Sequence, residues 1–169
     1  MFDIRYAGLS HNAELQIVQA DVVVTAEGET LIEEPLCVDV GLPALLRSAF
    51  EDAAPDRFAD AAVEWEKMPF FVCGCGDPDC RAYPFGVRRA GDEVEWRELE
   101  QSPGGERTVG VYRIPLQAYR ETLLRLGEQF LAFVAPLDYR PLQPATVELV
   151  ARWTERLRQE TAGAAGAEE

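Results

Sequence analysis

From Phe2 to Ile114 most apolar residues fall in short alternating runs, and most turns between those runs are brief. A parallel pair needs a crossover of a dozen residues or more, so connections this short dictate antiparallel pairing. "FDIRYAG" reads as a short edge strand, because its apolar residues alternate with polar ones. "AELQIVQADVVVTAEGETLIEEPLCVDVG" reads as a hairpin turning at "AEGET". Pro35 lacks an N–H and marks a bulge or an edge position on its second strand. "RAYPFGVRRAGDEVEWREL" reads as another hairpin, turning at Ala90-Gly91-Asp92, with Val94 and Trp96 on one face. "EQSPGGE" reads as a flexible loop and "RTVGVYRI" as a further strand.

The helical period appears in three places. "LPALLRSAFEDAA" carries Leu42, Leu45, Leu46 and Phe50 on one face, with Pro43 suited to a first turn. "PLQAYRETLLRLGEQFLAFV" spaces Leu116, Tyr119, Leu123, Leu126, Phe130 and Phe133 by three and four. "ATVELVARWTERLRQE" places Val147, Val150, Trp153 and Leu157 on one stripe. Residues 56–69 fit either a helix or a loop running into a strand at Val63 and Trp65. The expected architecture is α+β: a mostly antiparallel sheet of five or six strands, with about three helices packed on one face. One domain over residues 1–161 and a flexible tail over 162–169 are expected.

Charge narrows the partners. The chain carries −14 overall, and residues 1–66 hold 14 acidic against three basic side chains. Such a surface repels phosphate backbones, which argues against nucleic acid and leaves a basic protein as the expected partner. No apolar run approaches the ~18 residues of a membrane span. The N-terminal segment lacks the pattern of a basic then apolar leader, so a reducing cytoplasm is expected. Lys67 is the only lysine beside 15 arginines. This bias, with many Ala and Gly, is that of a GC-rich bacterial genome.

Chemistry is concentrated in "FFVCGCGDPDCRAYPF", which holds three of the four cysteines within eight positions. Asp77-Pro78 is the preferred opening of a type I turn. A hairpin closed there sets Cys75 opposite Cys80 and leaves Cys73 on the same side as Cys75. Three thiols then converge, at a separation suited to one zinc ion with Zn–S near 2.3 Å. Gly74 and Gly76 tolerate the backbone angles such a clasp needs. A structural zinc takes four ligands. Cys37, on a predicted strand, is counted with Cys73, Cys75 and Cys80 as the metal set; His11, Asp77, Asp79 or water are the other candidates for the fourth place. Reduced thiols packed into the hairpin, and a redox role pairing Cys75 with Cys80, remain open alternatives.

The pattern C-x-C-G-x-x-x-C, followed by V-x-W and an aromatic strand leading into a helix, falls on Cys73, Cys75, Gly76, Cys80, Val94, Trp96 and Tyr119. Over residues 65 to about 127 the chain resembles a group of small uncharacterised bacterial proteins. The resemblance implies that the clasp is a deliberate feature, and it brings no activity with it. The cysteine spacing is also similar to the SEC-C type of zinc module, but the later paired ligands of that module have no counterpart here.

Elsewhere the sequence is chemically quiet. No Walker A loop, G-x-S-x-G, G-x-G-x-x-G or H-E-x-x-H is present. Glu64 and Glu66 flank Trp65 as a carboxylate pair would on one strand face, and a solvated strand face is the simpler reading. The functional expectation is a non-enzymatic, immunity-like binding protein with no assigned catalytic residues, whose clasp holds structural zinc. The alternatives are a small metalloenzyme or thiol-redox protein, and a structural domain with packed free thiols.

Overall fold

A computed structural model describes residues 1–75 and 80–167. Among the described residues, eight antiparallel strands and three helices confirm the α+β expectation, with the strands divided between two sheets. The first sheet runs β1 (Asp3–Asn12), β2 (Ile17–Ala26), β3 (Glu29–Cys37), β4 (Phe71–Val72) and β5 (Ala82–Tyr83), in that spatial order. The second contains β6 (Phe85–Ala90), β7 (Glu93–Ser102) and β8 (Gly105–Pro115). Local turn chemistry sets most registers. Glu27 and Gly28 both take positive φ, 51° and 83°, between the paired residues Ala26 and Glu29. That is the backbone a two-residue hairpin of the primed type requires. Gly91-Asp92 joins β6 to β7 as another two-residue turn, with positive φ, 66°, at Gly91 alone. Pro35 sits opposite Asp21 on β3, and among the described residues β4 pairs with the other side of that strand only at Cys37.

Several boundaries differ from the sequence reading. "EQSPGGE" is no flexible loop: Ser102 pairs with Gly105, and Pro103-Gly104 is a tight turn between two long strands. The first helix, α1, covers only Leu42–Arg47. Beyond it Ala49 and Phe50 bond back three residues, to Leu46 and Arg47, which tightens the chain out of the α geometry. Ser48, at the helix end, turns its hydroxyl to the Leu45 carbonyl and to Tyr119 Oη, 2.6 Å away. Residues 56–69 form a loop closed at its root by Asp56 N–H donating to the Lys67 carbonyl at 2.8 Å. Asp56 and Asp60 accept the N–H groups of Phe58 and Ala62 at 2.9 Å each. These local bonds compete with helix formation. Glu64 and Glu66 therefore belong to this loop and a single 3₁₀ turn, not to a strand face, and Glu64 pairs with Lys67.

The helices α2 (Leu116–Val134) and α3 (Thr146–Ala167) complete the chain, with α3 running well past Thr161. On α2 the buried stripe includes Leu116, Tyr119, Leu123, Leu126 and Phe130 as expected, and ends on Val134 in place of Phe133. On α3, Val150 and Leu157 are buried, while Val147 is exposed and Trp153 half-buried. The α2 helix lies over β1, β7 and β8, so one helix covers parts of both sheets. Together they enclose a continuous core in which Phe85 stacks on Trp96 at 4.3 Å and Phe2 meets the same indole edge-on at 4.8 Å.

Candidate metal centre

The thiol cluster hangs from the edge of the first sheet. β4 and β5 pair Phe71 with Tyr83 and Val72 with Ala82, and Cys73 N–H donates to the Arg81 carbonyl at 2.9 Å. Carried one step further, this register sets Cys80 against Gly74, not against Cys75 as the turn chemistry had suggested. Of the expected Asp77–Cys80 turn, the first three residues, with the ligand candidates Asp77 and Asp79, lie outside the described residues.

Convergence is nevertheless achieved, by a different device. Gly74 takes φ +88°, in the left-handed region that glycine occupies without strain. On a regular strand residues two apart stand roughly 6–7 Å from each other. The reversal at Gly74 draws Cys75 back toward Cys73. The Sγ atoms of Cys73, Cys75 and Cys80 all lie within 4.8 Å of one another. Two sulfurs on a tetrahedral zinc stand roughly 3.8 Å apart, so a small contraction would supply three of its four positions.

The electrostatics of the trio are uneven. The Cys80 thiol donates to Cys73 and holds the Cys73 pKa below the ordinary thiol value, with Arg81 and Cys75 contributing in the same direction. The reciprocal bond raises Cys80. Arg81 Nη2 stands 3.8 Å from Cys73 Sγ, and the same guanidinium pairs with Glu34. A cation there offsets part of the excess negative charge of three thiolates, the kind of outer-shell support that tunes metal sites. Arg57 Nη2 donates to the Cys80 carbonyl at 2.6 Å and helps to fix that end of the cluster.

Cys37 stands apart from this trio. It is fully buried, and a Cβ placed on Gly74 would lie 2.6 Å from Cys37 Cβ and 3.2 Å from its Sγ. The residue thus forms the surface on which the Gly74 bend rests. Its thiol donates to Asp39 Oδ1 at 2.8 Å, and burial, then the Asp39 charge, push its pKa well up. His11 lies on β1, bonded to Gln16 and edge-on to Tyr139. Asp39 was not singled out in the sequence. It is 3% exposed and takes a second hydrogen bond, 2.5 Å long, from Tyr139 Oη. Burial raises its pKa, and the hydrogen bonds from Cys37 and Tyr139 pull the other way. Nothing in the local sequence marks it, because Tyr139 reaches it from 100 residues away.

By fold and site the chain is an α+β protein carrying a three-thiol centre at a sheet edge. Comparison with family models, with curated proteins and with solved structures finds no match.

Proposed function

We propose that the chain is a binding protein without catalytic turnover, in which Cys73, Cys75 and Cys80 clasp a structural zinc ion. The observation that carries this reading is the convergence of three sulfur atoms within 4.8 Å at a bend only glycine accommodates freely. Soft thiolates select zinc over the hard cations. The acidic first 66 residues suit a basic protein partner, as an immunity-like role would require. A thiol-redox role is the second reading, favoured by the lowered pKa of Cys73.

Elemental mass spectrometry of protein purified without a histidine tag separates the two. About one zinc per chain, lost in Cys75→Ser, is the expected result. Metal-free protein whose thiols all titrate freely, and which takes up no added zinc, would overturn the clasp and leave the redox reading.

A further inference from the structure

Five connections line one cavity. They are the β1–β2 turn with Leu15, the β3–α1 connection with Asp39, the closed loop with Phe58 and Trp65, the Gly74 bend, and the α2–α3 connection with Leu142. The cavity has a volume of about 520 Å³. This is within the ~300–1,000 Å³ of small-molecule sites. Three of its lining side chains are large, apolar and open to solvent: Leu15 at 61%, Phe58 at 41% and Leu142 at 67%. Single exposed apolar residues are ordinary, but several gathered around one opening mark a binding surface.

The same cavity is lined by Asp39. Its hydrogen-bond partners are all uncharged: the Cys37 thiol, the Tyr139 phenol and the backbone N–H groups of Val18 and of Asp39 itself. None of the ion pairs among the described residues includes it. A buried carboxylate is stabilised most by a cation. The arginines of the lining are engaged: Arg81 pairs with Glu34, and Arg57 donates to the Cys80 carbonyl. Asp60 adds a second carboxylate to the wall.

We propose that this cavity binds a small amine with an apolar, ring-sized body. The ammonium group donates to Asp39, and the body lies against Trp65, Met68, Phe58 and Leu142. Aromatic faces in the lining add attraction for a cation. Asp39 is the anchor, so the site stands whether or not the neighbouring thiols hold zinc.

The test is an NMR titration of ¹⁵N-labelled full-length protein at neutral pH, with three probes of one shape. Tryptamine, indole-3-ethanol and indole-3-propionate differ mainly in the charge of the terminal group. Tryptamine is expected to bind at least tenfold more tightly than the other two, with shifts centred on Asp39, Trp65 and residues 141–143. Asp39→Asn is expected to abolish that preference, and Leu142→Ser, at an exposed position, to weaken all three probes alike. Equal affinities, a preference for the carboxylate, or no shifts with any probe would overturn the proposal. The comparison of probes on the unmodified protein decides the matter even if Asp39→Asn does not fold.

Discussion

At Gly74 the backbone takes a left-handed turn while resting on Cys37, and the two constraints act together. An alanine there meets an unfavourable φ, costing about 1–2 kcal/mol, and a Cβ contact of 2.6 Å with a buried neighbour. Gly74→Ala is therefore expected to lower stability by about 2–3 kcal/mol and to weaken zinc uptake, even though every ligand is retained. Urea denaturation and metal stoichiometry check this; an unchanged midpoint with full zinc content would remove Gly74 from the design of the site. The thiols themselves make a second prediction. Cys73 is lowered chiefly by the bond from Cys80, and Cys80 is raised by the same bond. A lowered pKa means more thiolate at a given pH, so in metal-free protein Cys73 should alkylate with a pH midpoint below that of Cys80. Arg81→Gln should move the Cys73 midpoint upward. Mass-resolved iodoacetamide labelling across pH reads both, and an inverted order of Cys73 and Cys80 would refute the assignment. The trio was visible in the sequence because three thiols share eight residues. The bend that gathers them is not legible there, because turn chemistry at Asp77-Pro78 predicts a register one step from that of β4 and β5, and nothing in the sequence marks the left-handed Gly74.

Where α2 crosses α3, Gly127 faces Thr154, and an added Cβ would stand 2.2 Å from Thr154 Oγ1. Glycine in a helix interior ordinarily costs about 1 kcal/mol relative to alanine. Here the crossing reverses that preference, since overpacking costs about 1–3 kcal/mol. Gly127→Ala is expected to destabilise by about 1–2 kcal/mol. Adding Thr154→Ala should restore most of the loss, because Oγ1 is the clashing atom and has no hydrogen-bond partner among the described residues. Thermal unfolding of the two single variants and the double variant tests this; strict additivity would argue against a shared contact. Elements governed by local chemistry were legible in the sequence. The Glu27-Gly28 and Gly91-Asp92 turns announce themselves, and so does the period of α2. Elements governed by competition were not. Residues 56–69 have a helix-compatible composition, but Asp56 and Asp60 hold the nearby backbone N–H groups in turns. The stripe of α3 is displaced toward Leu149 and Thr154 because its register answers to α1 and α2, which periodicity alone cannot encode. The cavity and Asp39 were invisible for the same reason, since five distant connections build the cavity.

Taken whole, the molecule has one core under two sheets, and the thiol centre lies at the edge of the first. A ligand that binds only the folded chain stabilises it by mass action, about 2.7 kcal/mol at a hundredfold excess over Kd. For a chain of this size each kcal/mol shifts the midpoint by about 2–4 °C. Zinc at that excess should therefore raise Tm by roughly 5–10 °C in the unmodified protein and by little in Cys75→Ser. Calorimetry with and without chelator reads the difference, and equal shifts in both proteins would point to binding elsewhere. The join between the sheets gives this a mechanical side. Only Pro84 separates β5 from β6, and its carbonyl accepts the N–H of Leu99 on β7 at 3.0 Å. The chain has no slack there. Tension applied at Cys80 travels along Arg81, Ala82 and Tyr83 into Phe85, whose ring lies flat on Trp96. The join is a stiff elbow, and a pull on the cysteines is delivered to the middle of the second sheet instead of being lost in a loop.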